Sequence, residues 1–476
     1  MFLLTDGSYI RVTMYELNPM ENARVRLDAL LARRADRTEI EQRQKQRLQN
    51  LLEFVTRQSR FYKRHYEDVV RPITGLGDLP PVTKPMLMDN FDDVVTDTAV
   101  MRSEVDAFVA DLGNVGHRFL GRYPVWMTSG TTGEPGIFLQ DDRALTATDA
   151  VGDRWSIPAF LSPKTLERLL RNSMRAAELA VSGGHYAAAS GIAMIREEHP
   201  FMRDRIRLFS PKQPLSELVT SLNEYQPVIL IGYTSVIKEL AREQRAGQLD
   251  IQPAFITPSG EPITDAEKQE LRETFDCTVR EIYGATEFYA IAVECAHGNL
   301  HANTDWVVLE PVDENYQLVD PGEPSDTVLL TNLANRIQPI VRYELGDSVT
   351  IYEGPCPCGS PFPVLEVEGR QGEILRFETD EGETVPVFPL ALTSVVEEVP
   401  GVQRTQIVRT GPDTLSVRLD FDESTDARDV WEQVERDLQE FLQRRDIADV
   451  QVERGAVSPE RDDRSGKFRH VWSEIE

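Results

Sequence analysis

Alternating strand and helix patterns between residues 215 and 287 constrain the fold of this chain more than any other feature. Apolar residues recur with helical spacing from Leu215 until Pro227 interrupts the pattern. Thr264 and Glu267 form a capping box that predicts the start of a later helix. Strand–helix alternation of this kind indicates a parallel sheet with covering helices, so we predict an α/β fold. Three short runs are typical of its buried strands: residues 228–231, 254–257 and 278–282.

The pattern changes after about residue 370. Residues 373–388 alternate apolar and polar side chains around Asp380-Glu381-Gly382, which predicts a hairpin. A strand pattern follows at 415–421 and a helical pattern at 431–442. We therefore predict a small, mobile α+β domain over residues 372–476, joined to a large N-terminal domain over residues 1–371 whose sheets are mostly parallel.

A loop rich in glycine and hydroxyl residues lies at 127–136, with the sequence Met-Thr-Ser-Gly-Thr-Thr-Gly-Glu-Pro-Gly. Glycine lets a backbone approach an anion closely, and successive N–H groups can surround a phosphate. The usual P-loop ends in Gly-Lys-Ser/Thr, but no lysine follows Gly130 at that spacing. A flexible linker would have the same composition, so other parts of the chain must decide between the two interpretations.

In open α/β sheets, ligands bind beyond the carboxyl ends of the strands. Two segments are expected at such ends, Pro258–Pro262 and Tyr283–Glu287. With the other motifs, and in this order, they resemble the phenylacetate–CoA ligase branch of the adenylate-forming acyl-ligase superfamily, over roughly residue 55 to the C-terminus. The matching segments are Ser59–Tyr62, Pro81–Lys84, Gly130–Gly136, Ser259–Pro262, Tyr283–Glu287, Arg342–Asp347, Gly369-Arg370 and Gly466-Lys467.

The resemblance implies that the chain converts ATP and a carboxylic acid to an acyl-AMP and pyrophosphate, and then transfers the acyl group to coenzyme A. It implies that Thr286 contacts the α-phosphate, that Glu287 holds Mg²⁺, and that Asp347 accepts the ribose hydroxyls. Arg370 would stand at the interdomain junction. The residues with nucleotide-binding roles would be Ser129, Gly130, Thr131, Thr132, Gly133, Gly260, Glu261, Tyr283, Gly284 and Asp347.

Lys467 is the expected catalytic cation, because charge builds on the phosphoryl oxygens as the carboxylate attacks. The chain departs from the family pattern after Arg370. Gly372 occupies the hinge position, where glycine can absorb a large backbone rotation. The Arg-Gly expected near the coenzyme A thiol is replaced by residues 377–383, Phe-Glu-Thr-Asp-Glu-Gly-Glu. An amine or a carrier-protein thiol is therefore the alternative acyl acceptor.

Cysteine and histidine residues suggest a separate metal site. Cys295, His301, Cys356 and Cys358 offer three thiolates and one imidazole, a set suited to structural zinc, and relatives in this branch with similar elements resemble metal binders. His297 is the competing ligand. We expect such a zinc to brace the loops near Glu287 and Asp347 without taking part in chemistry.

Composition excludes some classes of function. The 476 residues carry a net charge of −28, which argues against a nucleic-acid surface, and we expect no membrane contact and a cytoplasmic location. The expected partner is a small carboxylic acid, with aromatic acids as candidates. A halophilic source would also explain the acidic surface. A non-catalytic nucleotide-binding relative is the remaining alternative, although a protein that only binds needs no transition-state cation. The segment around His185 is expected to form either part of an acyl pocket or a packed turn.

Overall fold

A computed structural model gives the fold for residues 19–69, 75–128, 136–171, 174–367, 371–372, 374–378, 384–422, 425–447, 449–460 and 469–475. Its α-helices, in chain order, are α1 (Pro19–Ala32), α2 (Arg37–Gln58), α3 (Arg60–His65), α4 (Lys84–Asp89), α5 (Phe91–Val94), α6 (Arg102–Ala110), α7 (Asp142–Phe160), α8 (Pro163–Arg171), α9 (Ala187–Glu198), α10 (Leu215–Tyr225), α11 (Thr234–Arg245), α12 (Asp265–Phe275), α13 (Pro389–Glu397) and α14 (Ala427–Gln443). Short 3₁₀ turns span Leu112–Asn114 and Pro200–Met202.

The strands are β1 (Val125–Met127), β2 (Ile137–Leu139), β3 (Ala176–Leu179), β4 (Ile206–Phe209), β5 (Ile229–Tyr233), β6 (Phe255–Ser259), β7 (Thr278–Val279), β8 (Ile282–Ala285), β9 (Phe288–Glu294), β10 (Leu300–Ala302), β11 (Val307–Val312), β12 (Thr327–Asn332), β13 (Tyr343–Glu344), β14 (Val349–Tyr352), β15 (Val364–Val367), β16 (Gln371–Gly372), β17 (Leu375–Glu378), β18 (Thr384–Val387), β19 (Val402–Gly411), β20 (Thr414–Phe421), β21 (Gln451–Arg454) and β22 (Arg469–Ser473).

A parallel sheet with the strand order β4-β3-β5-β6-β7 confirms the α/β fold class. Helices α10, α11 and α12 cover one of its faces through buried leucine, valine and isoleucine side chains. The capping box at the start of α12 is formed as the sequence predicts, with the Glu267 N–H donating to the Thr264 side chain. The strand pairing expected within 373–388 is also confirmed, because β17 and β18 pair antiparallel. The predicted turn at Asp380-Glu381-Gly382 lies outside the described ranges.

The strand expected at 278–282 is instead two strands in two different sheets. The chain leaves the parallel sheet after β7 and enters β8 at the edge of an antiparallel sheet ordered β14-β15-β10-β9-β8. Polar Arg280 and Glu281 make this crossing, and the Glu281 carboxylate is ion-paired with Lys268 of α12 at 2.7 Å. The Tyr283–Glu287 segment is therefore part of an antiparallel hairpin and not the end of a parallel strand.

The C-terminal unit packs against the helices that cover the parallel sheet, since one apolar cluster includes Leu222 of α10 and Leu438 of α14. Arg376 donates to the Glu239 carboxylate of α11 at 2.6 Å. The predicted boundary falls between the two residues of β16, which pairs with β22, so the division into two domains stays a prediction. Within the described ranges, no helix has the length and apolar character needed to cross a membrane.

Candidate active site

The base of the hydroxyl-rich loop is closed by two hydrogen bonds between its ends. The Thr128 N–H donates to the Gly136 carbonyl at 2.9 Å, and the Gly136 N–H donates to Thr128 Oγ1 at 2.8 Å. Strands β1 and β2 pair directly beside this closure. A Cβ on Gly136 would lie 2.6 Å from the Phe138 ring and 3.2 Å from Lys84 Cδ, so glycine is required there and Lys84 lies beside the loop.

Several of the expected site residues fall outside the described ranges. They are Ser129, Gly130, Thr131, Thr132, Gly133, Arg370 and Lys467.

The hairpin of β8 and β9 brings two expected nucleotide-binding residues together. The Tyr283 hydroxyl donates to Asp347 Oδ2 at 3.0 Å, although the two residues are far apart in the sequence. A Cβ on Gly284 would lie only 1.9 Å from the Tyr289 carbonyl oxygen, so only glycine permits this close approach of the two strands. The hairpin geometry therefore depends on the glycine of the motif.

The backbone carbonyls of Thr286 and Glu287 accept hydrogen bonds from buried amide side chains. Gln140 Nε2 donates to the Thr286 carbonyl at 3.3 Å, and Asn332 Nδ2 donates to the Glu287 carbonyl at 2.9 Å. Asn335 Nδ2 donates in turn to the carbonyl of Leu139 in β2 at 2.8 Å. These three amides are almost completely buried. The sequence analysis did not identify them, and their signal is the run of amides in an otherwise apolar region.

Gly260 and Glu261 follow the carboxyl end of β6, as the sequence predicted. Gly260 has a φ of +76°, which favours glycine. Glu261 caps helix α11, because its carboxylate accepts from the Ser235 N–H at 2.6 Å and from Ser235 Oγ at 3.0 Å. Burial raises the pKa of Glu261 to about 7, and the two hydrogen bonds from Ser235 oppose that rise. The side chain of Glu261 thus caps α11, while the backbone at 260–261 lies at the carboxyl end of β6.

The segment around His185 forms a packed turn beside the loop. Its carbonyl accepts from the Met127 N–H at 2.8 Å, and its ring lies 5.5 Å from the ring of Phe108. The side chain is 1% exposed, and burial lowers its pKa. Tyr186 forms a parallel bridge with Met127, so this turn supports the base of the hydroxyl-rich loop.

A cysteine and histidine cluster lies in the antiparallel sheet. The ligand atoms of Cys295, His301, Cys356 and Cys358 all lie within 4.8 Å of one another. The Cys295 and Cys356 sulfurs are 3.9 Å apart, and two thiolates on a tetrahedral zinc at about 2.3 Å would be roughly 3.8 Å apart. His301 Nε2 is 3.3 Å from the Cys358 sulfur. The donor set and its spacing both fit zinc.

The surroundings of His301 also suit a metal ligand. Its Nδ1 lies 2.8 Å from the Phe362 carbonyl, which accepts a hydrogen bond from the Nδ1–H and so leaves Nε2 for a metal. Trp155 stacks on the imidazole with 5.1 Å between ring centroids. His297, the competing candidate, approaches the cluster with its backbone N–H, which lies 3.4 Å from the Cys295 sulfur.

The cluster is remote from Glu287. That residue precedes the first residue of β9 and Cys295 follows its last, so a seven-residue strand separates them. At about 3.3 Å per residue, this is roughly 23 Å. The expectation that a metal here braces the loop at Glu287 is therefore wrong. A metal would fix the far end of β9 and the connection between β14 and β15.

Comparison with known proteins shows similarity to one sequence and to solved ligase structures. No family model matches the chain. Protein CapK of Staphylococcus aureus is 24% identical over 229 residues, which are 47% of this chain and 49% of CapK. The matched segment thus spans about half the length of that relative.

Crystal structures of a 2-hydroxyisobutyryl-CoA ligase are similar along nearly the whole chain. The structure with 2-HIB-AMP and CoA in the thioesterification state has a TM-score of 0.56 at 20% identity, covering 92% of this chain and 90% of that one. The postadenylation state with R3-HIB-AMP has a TM-score of 0.53 at 20% identity, covering 91% and 89%. At this identity the likeness establishes the fold, which is that of an acyl-CoA ligase with a large N-terminal and a smaller C-terminal part.

Proposed function

We propose that the chain is an AMP-forming acid–thiol ligase. In the first reaction, a carboxylate oxygen of the acid attacks the α-phosphorus of ATP, the bond to the β,γ-phosphates breaks, and acyl-AMP and pyrophosphate form. In the second, a thiol of coenzyme A attacks the acyl carbon and AMP leaves. The observation that most supports this proposal is the 3.0 Å hydrogen bond between Tyr283 and Asp347, beside the Thr286-Glu287 pair.

The proposed roles follow from the chemistry of these side chains. Asp347 has a carboxylate oxygen that accepts from Tyr283, and a carboxylate can accept from both ribose hydroxyls. Tyr283 would lie against the base and the Thr286 hydroxyl against the α-phosphate. The Thr286 and Glu287 carbonyls accept hydrogen bonds from buried amide side chains, and preorganised groups cost little reorganisation during the reaction.

Glu287 is the proposed Mg²⁺ ligand. Its carboxylate is a hard oxygen donor, which fits this ion. When bound, Mg²⁺ neutralises charge on the phosphates. Lys467 would supply the cation for the developing charge, Arg370 would approach the nucleotide from the junction, and the loop of Ser129 to Gly133 would bind the leaving phosphates.

Acid-dependent exchange of labelled pyrophosphate into ATP tests the first reaction directly. The panel should begin with phenylacetate and other aromatic acids, because the motifs resemble phenylacetate–CoA ligases, and should extend to short branched and medium-chain acids. We expect exchange that requires one class of acid and stops in Asp347→Ala. ATP binding without exchange for any acid would favour a non-catalytic nucleotide-binding protein.

The acyl acceptor requires a separate experiment because residues 377–383 lack the expected Arg-Gly. Coenzyme A, an amine and a carrier-protein thiol are each added to the enzyme with ATP and the active acid. We expect acyl-CoA as the product. Acyl-AMP that reacts only with the amine or the carrier thiol would instead support the alternative acceptor.

We also propose a structural zinc ion held by Cys295, His301, Cys356 and Cys358. Four protein ligands leave no open coordination position, so the ion would stabilise the sheet and take no part in the reaction.

A further inference from the structure

A buried carboxyl group lies in the parallel sheet near the proposed acyl-AMP site. Glu178 of β3 is 7% exposed. Its neighbours Ala177 and Leu179 belong to the apolar cluster under helices α10 to α12, so Glu178 projects from the opposite face of the sheet. The register pairs Glu178 with Ile231 of β5, which places Tyr233, two residues further on, on the same face.

The aromatic neighbours of Glu178 join it to the proposed site. The Tyr233 hydroxyl accepts from the Val181 N–H at 3.4 Å, and Tyr233 pairs in register with Ser259, just before Gly260. On the other side, the negative charge of Glu178, together with burial, raises the pKa of Tyr289 in β9. Tyr289 is the residue whose backbone contacts Gly284. Glu178 thus lies on the same face of the parallel sheet as Tyr233, and its charge acts on Tyr289 of the β8–β9 hairpin.

The chain itself leaves this carboxyl group unsatisfied. Across the described residues, no hydrogen bond or ion pair reaches it, and burial alone raises its pKa to about 8. The Glu178 oxygens are not completely sealed from solvent. Burying most of a carboxyl group without a protein partner is still costly, because buried polar groups are nearly always hydrogen-bonded. A leucine at this strand position would avoid that cost. The arrangement is explained if a ligand supplies the missing partner.

We propose that Glu178 hydrogen-bonds a hydroxyl or amino group on the carboxylic acid substrate, so that the enzyme activates hydroxy- or amino-substituted acids. This inference rests on the proposed function, because it assigns the acyl end of the acyl-AMP to the space between Glu178, Tyr233 and Tyr289. It places the specificity of the ligase in a residue outside every motif of the sequence. Glu178 would touch the substrate without taking part in bond formation.

Pyrophosphate exchange with matched acids tests the inference in the wild-type enzyme. Benzoic, phenylacetic and short branched acids are each compared in three forms that carry a hydroxyl, an amino or a methyl group at the same carbon. We expect kcat/KM for at least one polar form to exceed that of its methyl isostere by tenfold or more, because a site built for a hydrogen bond rejects the analogue that lacks it. Equal or better use of the methyl form would overturn the inference.

Glu178→Leu then assigns the preference to this residue. We expect the variant to lose at least tenfold in kcat/KM for the polar acid and to use the methyl isostere as well as, or better than, the wild type. Glu224→Leu, on the exposed side of α10, is the matched control and should keep the wild-type preference. A preference that survives in Glu178→Leu would refute the role of Glu178.

The inference and the proposed function fail in different ways. If no acid in the panel supports exchange, the adenylating activity itself is refuted, and the inference falls with it. If acids support exchange but polar and methyl forms are used equally, only the inference is refuted. The wild-type comparison needs no substitution, so its result does not depend on whether the variant folds.

Discussion

Lys268 is the residue whose loss should most disturb the crossing between the two sheets. Its side chain is 4% exposed, and its Nζ lies 2.7 Å from Glu281 Oε2 and 3.0 Å from Glu294 Oε2. Glu294 Oε2 also accepts from the Glu281 N–H at 3.0 Å. The cation thus joins α12 to the segment that leads into the β8–β9 hairpin. Lys268→Met keeps the length of the apolar stem and removes only the charge.

The expected loss in the free energy of unfolding is about 3 kcal/mol, the low end of the range for breaking a buried ion pair, because Glu281 loses its cation while Glu294 keeps Arg272 at 3.1 Å. Burial already raises the pKa of Glu281 in the presence of Lys268, and the pKa should rise further without it. An acid with a raised folded-state pKa costs stability above that pKa, and the cost disappears as the pH falls below its unfolded value. The deficit of the variant should therefore shrink between pH 8 and pH 5.

In the wild type, the stabilising contribution of Lys268 depends on pH with the opposite sign to that of Glu281. The pKa of Lys268 is raised by the two carboxylates despite its burial. Its stabilising contribution is complete below the unfolded pKa of lysine and is lost only as the pH rises through the folded-state value, above about 10.4. The titration of the Lys268 ammonium group itself should therefore contribute nothing to the change in wild-type stability between pH 5 and pH 8, and any change that this cluster makes in that range comes from the carboxylates it pairs with.

Urea unfolding followed by tryptophan fluorescence measures the differences in the free energy of unfolding. The rate of pyrophosphate exchange reports whether the β8–β9 hairpin keeps its geometry. Lys45→Met, at an exposed position of α2, is the matched control and should change the free energy of unfolding by less than about 0.5 kcal/mol. Adding Glu281→Gln to Lys268→Met should recover part of the loss. A loss below about 1 kcal/mol, or an equal deficit at pH 5 and pH 8, would refute this reasoning about buried charge.

Three further predictions address the metal, the hairpin and the catalytic cation. Protein purified without chelator should contain about one zinc per chain by elemental analysis, and Cys356→Ser should lose most of it; metal-free wild type would contradict the zinc proposal. Gly284→Ala should lower the free energy of unfolding by about 1–3 kcal/mol and slow exchange, because its Cβ meets a backbone carbonyl; unchanged urea unfolding would count against this. Lys467→Ala should slow acyl-AMP formation by about 10²–10³ while calorimetric ATP binding persists, and an unchanged rate would remove Lys467 from the site.

Local patterns in the sequence were sufficient for the regular elements of the parallel sheet. The capping box of α12 and the apolar runs at β5 and β6 are short-range signals, and the structure contains each of these elements. The crossing at Arg280-Glu281 was missed because a strand pattern does not reveal which sheet receives the next residue. Glu281 is held at the crossing by its ion pair with Lys268, which is a tertiary contact that local patterns do not show.

The candidate site, too, could be predicted only in part from the sequence. Its motif residues were identified in advance because glycine, threonine and acidic residues occur there in a specific order. The structure adds that Gly284 is required by the facing carbonyl and that Tyr283 bonds to Asp347. Whether these residues and those outside the described ranges bind nucleotide stays a prediction. Glu178 could not be recognised at all, because a glutamate in a short strand is unremarkable until its burial is known.

The amide residues show how the two halves of the site can be coupled. Asn335 bonds to the Leu139 carbonyl in β2, at the strand that leaves the hydroxyl-rich loop, and Asn332 bonds to the Glu287 carbonyl in the hairpin. Asn332 Oδ1 also accepts from the Asn335 N–H at 3.2 Å, so one buried segment joins both. A buried amide that loses its partner is left without a hydrogen bond and without water, which is unfavourable. Neither the loop base nor the hairpin can therefore shift alone without a loss of stability. The loop base and the hairpin should therefore keep a fixed separation, as a site that binds both ends of a triphosphate requires.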